Sequence, residues 1–161
     1  MYQIAVKRYL IEYQFPIRDG WQVTVDLDAM ELGKGDQNPP GKRRIAEQHH
    51  QWLKEQGVMI GSHQKYGRAD VVACKQGLGT YIIEVEGDSS KQREQAIYSA
   101  LGQTIFLMNE IPDTVRYGLA VPDSPKWEAQ LQKIPERVRE VLGLELFLVA
   151  ATGVRELGSI G

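Results

Sequence analysis

The stretch RADVVACKQGLGTYIIEVEG constrains this chain more than any other part of it. Arg68–Lys75 and Thr80–Glu86 are rich in β-branched residues. Gln76-Gly77-Leu78-Gly79 lies between them, and its glycines permit a tight reversal, so the stretch predicts an antiparallel hairpin. Successive side chains of a strand point to opposite faces. Ile82, Glu84 and Glu86 therefore share one face, and Tyr81, Ile83 and Val85 the other. Asp70 lies on the opposite arm between apolar neighbours, and the short turn brings it near Glu84 or Glu86. Carboxylates inside apolar strands are costly to bury unless something cationic neutralises them. Asp70, Glu84 and Glu86 thus form a candidate oxygen cluster for a hard divalent cation, Mg2+ or Mn2+. Lys75 stands at odd spacing from Asp70 and is expected to face away.

The segments around the hairpin predict what covers it. Gln3–Tyr13 and Trp21–Asp28 alternate polar and apolar residues and are joined through Pro16 and Asp19-Gly20, which reads as an N-terminal β-hairpin. The Gly- and Pro-dense GKGDQNPPG is a loop or linker. Residues 1–40 are too few to fold alone. They are expected to append to a core over 41–161, the whole forming a single domain. Arg43–Gln56 has helical spacing and stops at Gly57, and Val58–Ile60 is a short apolar strand. Ser89 or Ser90 is placed to cap a helix running to Met108. Val115–Val121 reads as a strand. Pro125–Leu142 is helical but interrupted by Pro135, which lacks a backbone donor. Leu144–Ala150 is apolar on both faces, as in a covered strand. From Gly41 the order α, β, β, β, α, β, α, β implies a mixed sheet flanked by helices, an α/β fold with α+β character. Neither GxGxxG nor GxxxxGK[ST] is present, which argues against a nucleotide-binding doubly wound fold.

Composition narrows the function classes. The chain has 161 residues and a net charge of −2, which disfavours nucleic-acid binding driven by bulk charge. A local basic rim is still available from Lys42, Arg43, Arg44, Lys54, Lys65 and Arg68, although a solvated helix start explains the first of these equally well. No apolar run approaches a bilayer span and no export signal is visible, so no membrane partner and a cytoplasmic setting are expected. The lone Cys74 fits a reducing compartment and is expected to be buried in its strand. His49 falls on the apolar stripe of its helix as a core or boundary residue, and His63 reads as a polar loop residue.

The placement of Arg68-Ala69-Asp70-Val71-Val72, then a turn, then Glu84-Val85-Glu86, then a helix with Gln95 and Gln103, resembles the PD-(D/E)xK, restriction-endonuclease-like nuclease superfamily. The resemblance spans about Gly41 to Val121. It implies an αβββαβ core, Mg2+ or Mn2+ as cofactor, nucleic acid (DNA before RNA) as partner, and a two-fold homodimer. In its terms Asp70 and Glu84 hold the metal, and Glu47 on the upstream helix is a further acidic candidate. Glu86 stands where the motif lysine belongs, either completing the metal shell or orienting the attacking water. Lys91 is the nearest replacement lysine. Arg68, Gln103 and Lys65 are candidate phosphate contacts. The expected activity is metal-dependent phosphodiester hydrolysis. The alternative is a catalytically inactive module of the same fold, for nucleic-acid binding or protein assembly. A third reading is a structural domain in which the carboxylates pair with Arg68 and Lys91.

Overall fold

The computed structural model describes residues 1–34, 39, 41–89, 91–109 and 114–158. The first segment corrects the expected N-terminal hairpin, because Gln3–Gln14 is a helix, α1. Its apolar residues alternate over a few positions, but Val6–Leu10 and Ile11–Phe15 are four apart and Ile4–Ile11 seven apart, and all five are buried. Helix and strand periods compete over so short a run, and the contacts available to a helix decide. Pro16 cannot continue α1, and Gly20, at φ 96°, turns the chain into β1, Gln22–Val25.

The remaining elements are α2 Lys42–Glu55, β2 Met59–Ile60, β3 Val71–Lys75, β4 Gly79–Val85, α3 Arg93–Leu107, β5 Val115–Pro122, α4 Pro125–Leu131, α5 Glu136–Leu142, β6 Leu144–Ala150 and β7 Gly153–Glu156. The strands form one mixed seven-stranded sheet in the order β2-β1-β3-β4-β5-β6-β7. β3 is antiparallel to both of its neighbours, β1 and β4, whereas β4, β5 and β6 run parallel. The β3–β4 hairpin forms where expected, with its turn shortened to residues 76–78 because Gly79 pairs with Lys75 as the first residue of β4, and Pro135 separates α4 from α5 as expected. β7 had no clear signal in the sequence.

Two apolar layers sandwich the sheet. On one face Val6, Leu10, Ile11 and Phe15 of α1 and its C-cap pack on Val25, Val71, Ile83, Val85 and Phe147. The N-terminal segment is therefore part of the central core and not an appendage. Full burial of Phe15 alone contributes about 2 kcal/mol relative to exposure. On the other face Ala96, Ile97 and Ala100 of α3, with Trp127 and Leu131 of α4, cover Val72, Ile82, Leu119 and Leu148.

Three local expectations are corrected. Cys74 is exposed, since β3 is covered only through Ala73. The helix after β4 begins at Arg93 with no side-chain cap, so Lys91 precedes it. Ser89 Oγ instead accepts from the Lys91 amide at 3.2 Å within the turn, and Ser90 lies outside the described residues. No helix among the described residues is long and apolar enough to cross a membrane.

Candidate functional site

The site forms where strand ends meet. β3 and β4 are antiparallel with Val71 opposite Ile83, so the next step places Asp70 opposite Glu84. β1 ends beside them, its Asp26 amide donating to the Asp70 carbonyl at 3.0 Å. Asp70 Oδ2 accepts from the Val85 amide at 2.9 Å, which fixes the carboxylate across the strand pair. Glu84 is 5 % exposed and lies against Asp70. Burial, then the nearby Asp70 charge, pushes the Glu84 carboxyl up to about 9, so at neutral pH it keeps its proton. Glu86, just past β4, is pushed up to about 7 by burial, eased by Lys91 and reinforced by Asp70.

A cation is already present in this cluster. Lys7, fully buried on α1, reaches Asp26 O at 2.6 Å, Glu31 Oε1 at 2.7 Å and Asp70 Oδ1 at 3.3 Å. Its ammonium has three N–H groups and three acceptors, so burial does not leave it unsatisfied. Burial opposes the Lys7 charge, but Asp70 and Glu31 outweigh it and hold the group above the ordinary lysine range. Glu31 is aimed by a reciprocal pair of hydrogen bonds. Asp28 Oδ1 accepts from the Glu31 amide at 2.8 Å, and Glu31 Oε2 accepts from the Asp28 amide at 3.1 Å.

The N-terminal helix is pinned to β4 by close backbone approach. Gln3 Nε2 donates to Val85 O at 2.9 Å, and the Asp88 amide donates to Met1 O at 2.8 Å. A Cβ on Gly87 would stand 2.4 Å from Gln3 N and 2.8 Å from Tyr2 C, so only glycine lets the chains pass at this distance. Asp88 Oδ1 then accepts from Trp127 Nε1 at 2.9 Å, tying the loop after Glu86 to α4.

The sequence candidates divide in space. Asp70 and Glu84 are brought together, with Glu86 at their edge. Lys91 is exposed and acts on Glu86 through its charge. Arg68 is 76 % exposed and pairs with Asp26 Oδ2 at 3.3 Å, so the cation on Asp70 is Lys7 and not Arg68. Glu47 is 65 % exposed and pairs with Arg43 on its own helix. Gln103 is exposed on α3, and Lys65 is exposed with its ammonium 5.4 Å from the Tyr66 ring. His63 holds its own loop, Nδ1 accepting from the Lys65 and Tyr66 amides. His49 is buried edge-on to Tyr9, the boundary role its spacing suggests.

Lys7, Glu31, Asp26 and Asp28 were not among the sequence candidates. The Asp28-Ala29-Met30-Glu31 spacing is that of a reciprocal cap, a signal available in the sequence. Lys7 is legible only as a lysine on the apolar stripe of a helix, and α1 has first to be read as a helix.

The donor set is all oxygen and suits a hard cation. Among the described residues no set of three or more acidic, histidine or cysteine side chains is gathered to hold a metal ion. Mg2+ commonly takes only one or two carboxylates and completes its shell with water and substrate oxygens. The Asp70–Glu84 pair meets that lesser requirement. Two large surface grooves include none of the clustered carboxylates in their lining. One of about 690 Å³ runs along α2 past Arg44, His50 and Trp52, and one of about 500 Å³ lies at the ends of β5 and β6 beside Asp88 and Arg93. Set against protein-family models, curated proteins and solved structures, the chain matches none.

Proposed function

We propose that this protein is a Mg2+- or Mn2+-dependent phosphodiester hydrolase of the restriction-endonuclease-like type, acting on nucleic acid and on DNA before RNA. The observation that carries this reading is the juxtaposition of Asp70 with the buried Glu84 at converging strand ends. Apart from α2 and β2, which lie between β1 and β3 in the chain, the order α1, β1, β3, β4, α3, β5 supports it, since an antiparallel three-strand run, a crossover helix and a parallel strand resemble the αβββαβ pattern. On this reading the pattern would start at α1, where the sequence alone suggests α2, and Lys7 of α1 lies against Asp70.

Asp70 and Glu84 would hold the metal, which supplies polarisation of the scissile phosphate and a more acidic bound water. Glu84 must release its proton to do so. Glu86, held near 7, is suited to exchange a proton at neutral pH. Lys91, Arg68, Lys65 and Gln103 are exposed and would contact a phosphate backbone, Arg68 while leaving or sharing its pair with Asp26.

One observation favours the second reading, an inactive module of the same fold. Both Asp70 oxygens are engaged, Oδ1 by Lys7 and Oδ2 by the Val85 amide. Lys7 then supplies Asp70 and Glu31 with a cation without any metal.

Calorimetric titration with Mg2+ and Mn2+, followed by incubation with plasmid and single-stranded DNA, separates the two. Metal binding lost in Asp70→Asn, with cleavage lost in Glu84→Gln, is expected of the hydrolase. Metal binding without cleavage supports the module. No metal binding by the wild-type chain sinks the hydrolase.

A further inference from the structure

Lys7 occupies a position built like a cation site. Its Nζ is ringed by oxygens from three separate segments: the Asp26 carbonyl at 2.6 Å, Glu31 Oε1 at 2.7 Å and Asp70 Oδ1 at 3.3 Å. Two carboxylates and a backbone carbonyl are oxygen ligands of the kind that hard divalent cations take. Glu31 is aimed at this point by its paired hydrogen bonds with Asp28, and Asp70 by the Val85 amide. The donors are thus set in place independently of the lysine. Two buried carboxylates without a cation between them would repel each other and lose their hydration. The chain supplies that cation itself.

The ammonium is held against exchange. Its side chain is 0 % exposed, whereas that of Asp70 is 18 % exposed, so an ion arriving from solution meets the outer side of Asp70 and not Lys7. Each of the three N–H groups has an acceptor. The helix that carries Lys7 is fastened near its start, where Gln3 Nε2 donates to Val85 O and Gly87 permits the close approach. A group tethered at its binding position acts at a far higher effective concentration than a free ion. Enclosure also fixes what Lys7 can do. An ammonium closed to solvent touches neither an attacking water nor a phosphate, so Lys7 positions Asp70 and Glu31 and takes no direct part in chemistry.

Removing the ammonium would leave Glu31, Asp70 and the Asp26 carbonyl facing the space of the lost side chain. One divalent ion balances the two carboxylate charges, and water in that space completes its shell.

We propose that Lys7 is a tethered cation filling one of two cation positions on Asp70, so that the native cluster accepts at most one divalent ion, and that another is admitted when the ammonium is removed. The proposal shares Asp70 with the hydrolase reading but needs neither cleavage nor metal binding by the wild type. Mn2+ binding to the full chain, counted from the electron paramagnetic resonance signal of free Mn2+, tests it. Lys7→Ala is expected to bind one Mn2+ more than wild type, and Lys7→Ala/Glu31→Gln to lose the additional ion. No ion on wild type with one on Lys7→Ala would end the hydrolase reading and leave this one standing. If Lys7→Ala does not fold alone, Mn2+ is expected to restore its circular dichroism, and a chain that stays unfolded in millimolar Mn2+ overturns the proposal. Equal stoichiometry in wild type and Lys7→Ala, two ions on wild type, or an additional ion that survives Glu31→Gln would also overturn it.

Discussion

Lys7 Nζ lies 3.3 Å from Asp70 Oδ1, joining the first helix to the start of β3 at a point closed to solvent around the lysine. The contact makes α1 part of the carboxylate cluster, because Glu31 and the Asp26 carbonyl complete the ammonium's shell at 2.7 Å and 2.6 Å. Substituting Lys7→Met keeps most of the side-chain volume and removes the charge. Glu31 and Asp70 then lose their buried counter-ion, which costs about 3–5 kcal/mol. Urea unfolding is expected to show that loss, and Lys7→Met/Glu31→Gln to recover a good part of it. Equal stability of Lys7→Met and wild type would mean that the cluster is solvated.

Glu84 sets a pH dependence with a definite sign. In the unfolded chain its carboxyl ionises near 4.5, whereas in the folded chain it keeps its proton to about 9. The folded state therefore binds more protons between those values, and stability falls as pH rises through that window. Its contribution is fully present below the lower value and fades by about 1 kcal/mol per pH unit above it. Glu84→Gln, neutral throughout, is expected to flatten the difference in metal-free urea unfolding at about pH 5, 7 and 9. Parallel pH profiles for the two proteins would count against a protonated Glu84.

On the hydrolase reading the same proton would compete with a metal. Binding of Mg2+ or Mn2+ to Asp70 and Glu84 requires the Glu84 proton to leave, so affinity is expected to rise with pH up to about 9, by as much as tenfold per unit. Calorimetry in buffers of different ionisation enthalpy counts the protons released. Metal binding with no proton release would place the ion elsewhere.

Gly87 is the position where backbone spacing governs the site. A methyl group there meets Gln3 N at 2.4 Å and Gln3 Cα at 2.7 Å, both backbone atoms that cannot rotate away. Gly87→Ala is expected to push α1 off the end of β4 and to cost about 1–3 kcal/mol. A Gly87→Ala chain with wild-type stability would show that α1 is loosely held.

What the sequence by itself determined is the β3–β4 hairpin. The Gln76-Gly77-Leu78-Gly79 turn signal and the two-residue period bring Asp70 near Glu84 or Glu86, and the observed register, Lys75 opposite Gly79, selects Glu84. The break at Pro135 is legible for the same reason, since a missing backbone donor acts wherever it stands. The first segment is different. MYQIAVKRYLIEYQF carries apolar residues compatible with both periods, and it becomes a helix because Val6, Leu10, Ile11 and Phe15 together find one face of the sheet.

Only the tertiary structure decided the partners of the carboxylates. Lys7 and Glu31 are distant from Asp70 along the chain, and no short-range periodicity reports that three segments converge. Their meeting depends on the strand order, on the close approach at Gly87, and on the penalty for leaving any one of these charges buried alone.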